Sequence, residues 1–162
     1  MIKVGILTIS DKGSRGERVD GTGEAIKKEL NKEEYEVEYY KIIPDDLEKI
    51  QMELIHLSDE LKVNLVLTNG GTGFSQRDVT PEATMKVIEK NVPGIAEAMR
   101  SASLKITPKA MLSRAVSGIR RETLIVNLPG SPKGAIENLQ VILPALPHGI
   151  EILTGKASEC AR

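Results

Sequence analysis

The chain opens on an apolar run over residues 2–10, in which Val4, Ile6, Leu7 and Ile9 leave neither face polar. Such a run predicts a central strand of a parallel sheet, buried on both sides. A polar loop from Ser10 to Gly23 follows, holding Gly13, Gly16, Gly21 and Gly23, and then Ala25, Ile26 and Leu30 keep helical spacing between Glu24 and Asn31. Residues 35–43 predict a second strand around Val37, Ile42 and Ile43, with the adjacent Tyr39 and Tyr40 leaving its facing open. Pro44 stops it. Leu47, Ile50, Leu54 and Leu57 then recur on one face of a helix, with Met52 off the stripe. A third strand over 63–68 empties into Asn69-Gly70-Gly71-Thr72-Gly73, and a helix begins at Pro81.

The second half is less regular. A helix starts near Ile95, runs past Leu104 and is broken by Pro108; one or two short turns follow between Met111 and Ser117. Thr123–Leu128 predicts a strand, and Pro132 opens a helix that extends to about Leu143 before Pro144 and Pro147 force a restart. Repeated alternation of strand and helix predicts an α/β fold with a mostly parallel sheet covered on both faces.

Composition narrows this picture. No linker, internal repeat or low-complexity segment interrupts the 162 residues, so one domain over 1–162 is expected. A net charge of -1 provides no global field for nucleic acid or an anionic membrane, and an aromatic content of 2% argues against a base-stacking surface. The single cysteine, Cys160, excludes an intramolecular disulfide and a thiol-metal framework, and neither His56 nor His148 joins a metal-ligand spacing. No stretch approaches a membrane span, and Met1–Leu7 runs into the first strand without a signal-peptide layout. A cytoplasmic protein is expected.

Candidate chemistry gathers where the strands end. In a parallel sheet these ends share one edge, where ligand crevices form. Gly70, Gly71 and Gly73 permit close backbone approach, and loop N–H groups ahead of a helix can cradle an anion. Neither a P-loop nor a dinucleotide fingerprint is present. Thr80 as N-cap and Pro81 at the first helical position account for themselves structurally, which leaves Asp78 either an Asx-turn residue or a carboxylate beside bound phosphates. Asp45 and Asp46 follow the second strand; either suits a helix cap, and Asp45 has Glu48 at capping-box spacing. Two carboxylates converging on one pocket with phosphates would call for a divalent cation. In the first loop Thr22 or Asp20 can cap the next helix, whereas Asp11 has no capping duty. Ser131-Pro132 repeats the cap-and-proline device after the last strand, and Lys133 is equally suited to an anion or to solvent. Ser113 and Arg114, with Arg120 and Arg121, are further phosphate candidates.

These residues together resemble a known family. Thr68-Asn69-Gly70-Gly71-Thr72-Gly73 and Arg77-Asp78-Val79-Thr80-Pro81-Glu82-Ala83 resemble the signature of molybdopterin-binding proteins of the MogA/MoaB type. The likeness continues in Thr8-Ile9-Ser10-Asp11, Asp20-Gly21-Thr22-Gly23, Ile43-Pro44-Asp45-Asp46, Leu112-Ser113-Arg114-Ala115 and Asn127-Leu128-Pro129-Gly130-Ser131-Pro132, in the expected order over nearly the whole chain.

The resemblance implies a three-layer α/β/α sandwich, usually trimeric and sometimes a larger assembly. It also implies molybdopterin adenylyltransferase activity: AMP passes from ATP to the terminal phosphate of molybdopterin, with Mg²⁺, and pyrophosphate leaves before molybdate insertion. On that basis Asp45 and Asp78 are the catalytic and Mg²⁺-holding candidates. The pterin and nucleotide contacts would be drawn from Ser10, Asp11, Asp20, Gly21, Thr68, Gly70, Gly71, Thr72, Gly73, Ser113, Arg114, Pro129, Gly130 and Ser131. A homotrimer and a molybdate-insertion enzyme that accepts the product are the implied partners. Two other readings remain open at this point: a molybdopterin-binding or carrier protein without turnover, and an oligomeric scaffold.

Overall fold

The computed structural model describes residues 1–157, so Cys160 lies outside the described residues. Six strands form one sheet in the order β2-β1-β3-β6-β5-β4. The four strands β1 (Ile2–Ile9), β2 (Tyr35–Ile43), β3 (Leu65–Asn69) and β6 (Thr123–Leu128) are mutually parallel; β5 (Ser117–Arg120) and β4 (Lys90–Asn91) close one edge antiparallel. The chain leaves β1 toward β2 on one side and returns to β3 on the other. The carboxyl ends of β1 and β3 therefore flank the point where strand order reverses, the usual place for a crevice.

Alternation along the strands builds two cores. Val4, Ile6, Leu65, Leu67, Leu124 and Val126 face one side, where Ile26 of α2 (Gly21–Glu29), Met99 of α5 (Pro93–Leu104), Leu139 of α6 (Pro132–Ile142) and Ile150 of α7 (Leu146–Leu153) cover them. Leu7, Ile9, Val66 and Ile125 face the other side, under Ile50 and Leu54 of α3 (Leu47–Ile55) and Ala83 and Val87 of α4 (Thr80–Val87). This is the expected three-layer arrangement. Strands buried on both faces read as continuous apolar runs, which is why β1, β3 and β6 were visible in the pattern.

The structure settles the facing of Tyr39 and Tyr40. Val4 pairs with Val37 but Gly5 pairs with Tyr39, so Glu38 is an extra residue that bulges β2. Beyond the bulge Tyr39 packs on the α3 side and Tyr40, like Val37, on the α2 side.

Elsewhere the local reading is corrected. The loop after β1 contains a one-turn helix, α1 (Asp11–Ser14), and α2 begins at Gly21 rather than Glu24. Asp20 caps α2 by accepting the Gly23 amide, and Asp46, not Asp45, caps α3 by accepting the Lys49 amide at 3.0 Å. Thr80 does not cap α4; its hydroxyl donates instead to the Gly70 carbonyl at 2.9 Å. The short turns expected between Met111 and Ser117 are displaced: a 3-10 segment spans Pro108–Leu112, residues 113–116 are irregular, and Ser117 already belongs to β5, which with β4 was not anticipated. Ser117-Gly118-Ile119-Arg120 carries no alternation, and Gly118 is there because Ile88 leaves no room for a side chain.

Arg120 and Arg121 lie at the opposite edge of the sheet from the strand ends that hold the glycine loop. Arg120 donates to both oxygens of Asp59 (3.0 and 2.7 Å) and to the Val87 carbonyl, and Arg121 reaches Asp59 at 3.0 Å. They are thereby removed from the phosphate candidates.

The Arg120 hydrogen bonds hold the Asp59 carboxyl below its ordinary value against the opposing effect of burial. A depressed folded-state pKa contributes stability that is present above the unfolded value and lost as pH falls through the folded one. Asp59→Asn is expected to lower stability by about 2 kcal/mol at neutral pH, and the gap should close as pH falls below the ordinary aspartate range, read from urea unfolding across pH. Lys62 ends the segment after α3 with φ 54°, a left-handed conformation that suits glycine. Lys62→Gly is expected to raise stability by about 1 kcal/mol in thermal unfolding.

Candidate active site

Four loops converge at the carboxyl edge of the parallel strands. The loop after β3 makes the closest approach: Gly70 and Gly71 have φ of 97° and 68°, and a Cβ on Gly70 would run into the Ile9 carbonyl. At Gly71 a Cβ would meet the Thr80 hydroxyl and stand 3.0 Å from Asp45 Oδ1; at Gly130 it would stand 3.3 Å from the Gly70 Cα. The Gly70 amide donates to the Leu128 carbonyl (3.2 Å), and the Thr22 hydroxyl donates to the Gly130 carbonyl (2.7 Å). Among the described residues the Gly71 and Thr72 amides donate to no acceptor, which leaves two unpaired backbone donors on the loop.

A buried polar chain supports the loop from below. Asn127 of β6 donates to the hydroxyls of Thr68 and Thr84 (both 3.0 Å) and accepts the Val116 amide. Thr84 donates to the Thr80 carbonyl, and Thr80 to Gly70. Thr68 is fully buried, so it underpins the loop and lines no cleft.

Asp45 and Asp78 each have one oxygen tied and one free. Asp45 Oδ2 accepts the Asp11 amide at 3.0 Å; Asp78 Oδ2 accepts the amides of Gly73 (3.0 Å) and Ser75 (3.2 Å). These bonds run back to the preceding glycine loop, not to the amide two residues on, so Asp78 makes no Asx-turn. Among the described residues, Oδ1 of each carboxylate accepts no hydrogen bond. Burial pushes the Asp45 carboxyl above its ordinary value; the Asp11 amide opposes this, and the charges on Asp11 and Asp78 add to it. Negative charge concentrated there favours a cation.

The remaining candidates separate by position. Ser10, Asp20, Gly21, Asp45, Gly70, Gly71, Asp78, Gly130 and Ser131 line one open cleft of about 620 Å³. Thr72, Gly73, Ser113, Pro129 and Ser131 line a neighbouring, more apolar hollow of about 330 Å³. The glycine loop and Ser131 form the partition. Asp20 is braced by Thr8 and Tyr40, whose hydroxyls donate to its Oδ2. Asp11 faces Arg77, which holds its carboxyl low. Arg114 stands behind the loop: its guanidinium donates to the carbonyls of Gly73 and Asp78 and to both Glu82 oxygens, so it braces the loop rather than facing a ligand.

Sequence reasoning missed several lining residues. Arg18 reaches the cleft from the glycine-rich first loop, and Arg100, Thr107, Lys109 and Asn138 line the hollow from α5, the 3-10 segment and α6. Their helices are amphipathic in the ordinary way, and no local pattern marks the hollow.

Gly71→Ala is expected to fold with stability lowered by about 1–3 kcal/mol, measured by thermal unfolding, because the methyl meets Thr80 at a left-handed backbone position.

Known proteins are similar to this chain in sequence and fold. A family profile described as "Probable molybdopterin binding domain" matches residues 5–148. The chain is 44% identical to a molybdopterin adenylyltransferase of Helicobacter pylori, over 95% of this chain and 89% of that protein. It is 38% identical to the Escherichia coli K12 protein of that name, over 99% and 89%. Among solved structures, the molybdopterin biosynthesis enzyme MoaB of Thermus thermophilus superposes with a TM-score of 0.92 at 51% identity, covering 98% of this chain and 100% of that one. Fold and sequence similarity agree over nearly the whole length, and the chain belongs to the molybdopterin-binding domain family.

Proposed function

We propose that this protein is a molybdopterin adenylyltransferase of molybdenum cofactor biosynthesis. The observation that carries the reading is the pair of carboxylates, Asp45 and Asp78, each presenting one unbonded oxygen beside a glycine loop with free amides. Relatives named for this activity cover nearly all of the chain. Two adjoining hollows that meet at Ser131 suit a reaction between two substrates.

In the reaction an oxygen of the pterin's terminal phosphate attacks the α-phosphorus of ATP. A new P–O–P bond forms, the bond between the α-phosphorus and the bridging oxygen breaks, and its electron pair leaves on pyrophosphate. A phosphate monoester is largely ionised at neutral pH, so neither aspartate is needed as a strong base. Catalysis rests on positioning and charge neutralisation. The chain's contributions are the Gly71 and Thr72 amides toward phosphate oxygens and the glycine loop that holds the reactants apart from the strand ends.

The donor set fits Mg²⁺, which takes one or two carboxylates and completes its shell with water and substrate phosphate. Asp45 Oδ1 and Asp78 Oδ1 would hold it, and the bound ion would supply charge compensation for the transferring and leaving oxygens. Three-residue clusters of His, Cys, Asp or Glu able to hold a metal are absent among the described residues. No described helix is long and apolar enough to cross a membrane. The family resemblance supports a cytoplasmic homotrimer that passes its product to a molybdate-insertion enzyme.

Pyrophosphate release from Mg-ATP that depends on molybdopterin is the decisive assay. The native chain should turn over, and Asp45→Asn and Asp78→Asn should each lose at least about a hundredfold while retaining pterin binding. Tight pterin binding with no pyrophosphate from the native chain would make the protein a carrier instead.

A further inference from the structure

Asp11 was a candidate ligand contact, yet both of its carboxylate oxygens accept hydrogen bonds from within the protein. Oδ1 accepts the Asp45 amide (3.0 Å) and Arg77 Nη2 (3.0 Å), and Oδ2 accepts Arg77 Nε (2.9 Å). The Asp11 amide in turn donates to Asp45 Oδ2 (3.0 Å), so the loops after β1 and β2 exchange carboxylate–amide bonds in both directions. Arg77 sits on the third loop and immediately precedes Asp78. One guanidinium therefore joins the loop that bonds Asp45 to the segment that carries Asp78.

The pairing has a purpose that stability alone does not explain. Arg77 is largely exposed, and exposed ion pairs add little to folding. Three carboxylates, Asp11, Asp45 and Asp78, lie on the three joined loops, and like charges favour separation unless hydrogen bonds and a cation tie them. A planar fork gripping both carboxylate oxygens fixes direction as well as distance, which an ammonium group cannot do.

We propose that the Asp11–Arg77 pair is a positioning latch that sets the spacing of Asp45 and Asp78 across the cleft. Arg77 and Asp11 are then positioning residues for the transfer and touch no substrate. The kinetic part of this inference rests on the adenylyltransferase reading; the structural part rests on the hydrogen-bond ring alone.

The test compares the native chain with Arg77→Gln, Arg77→Lys, Asp11→Asn and the Asp11→Asn/Arg77→Gln double variant. Arg77→Gln should lower kcat about tenfold or more with KM for Mg-ATP held within about twofold, because misplacement of reacting groups acts on the chemical step. The melting temperature should be nearly unchanged. Arg77→Lys should recover only part of the loss, and the double variant should be no worse than the poorer single one, since both remove the same link. In the substrate-free protein the Asp45 backbone amide proton should shift upfield in Arg77→Gln as its bond to Asp11 loosens. A KM increase with kcat preserved would place Arg77 on the phosphates and overturn the latch, as would additive losses in the double variant. If the native chain releases no pyrophosphate, the adenylyltransferase reading fails while the amide shift still decides the latch: an unmoved Asp45 amide overturns it.

Discussion

At the carboxyl edge of the sheet, the backbone of β3 passes so close to the ends of β1 and β6 that no side chain fits between them. Gly70 turns left-handed directly against the Ile9 carbonyl, and Gly130 closes on the Gly70 Cα from the other side. Every feature of the site inherits its position from this contact. Asp45 lies beside Gly71 because the loop occupies so little width, and the Gly71 and Thr72 amides find no acceptor among the described residues. Bulk at either glycine would push apart three loops at once.

Such a tight crossing would be mobile without support. The hydroxyls of Thr80 and Thr22 secure the carbonyls of Gly70 and Gly130, and the Asn127–Thr68–Thr84 chain ties the loop to the interior of β6 and α4. A buried polar network is stabilising only when its members find partners, and Asn127 uses both its donor and acceptor groups here. The result is a stiff floor beneath a site that must hold charge in fixed places, which is what phosphoryl transfer asks of a protein.

Charge at this edge is arranged rather than balanced. At the far end of the sheet Asp59 is met by both Arg120 and Arg121. Around the cleft the acidic groups outnumber their partners: Arg77 serves Asp11, and Asp45 and Asp78 are left with backbone amides on one oxygen only. The excess negative charge is unfavourable for a nucleotide by itself and favourable for a nucleotide that arrives with a cation. Membership of the molybdopterin-binding family and the relatives named for adenylyl transfer fit that arrangement.

Much of this was legible in the chain itself. The apolar runs of β1, β3 and β6, the helical stripe of α3 and the cap-and-proline device before α6 are local patterns, and local patterns suffice where burial on one or two faces dictates residue type. The glycine loop and the aspartates Asp45 and Asp78 were marked by their place after strands. Other decisions needed the folded molecule. Whether Asp45 or Asp46 capped α3 depended on Asp11, thirty-four residues away, claiming the Asp45 carboxylate. Thr80 gave up its capping role because the Gly70 carbonyl lay within reach, and Arg114 was drawn behind the loop by carbonyls from Gly73 and Asp78. The strand β5 exists because β6 offers it an edge, and the bulge at Glu38 that orients the two tyrosines is a matter of register with β1. Residue type and spacing by themselves determined the layers and the strand ends, and the motifs at those ends carried the family resemblance; which polar group bonds to which was decided only when the sheet brought distant loops within hydrogen-bond distance, because each such group had several local partners and just one geometry that satisfied them all.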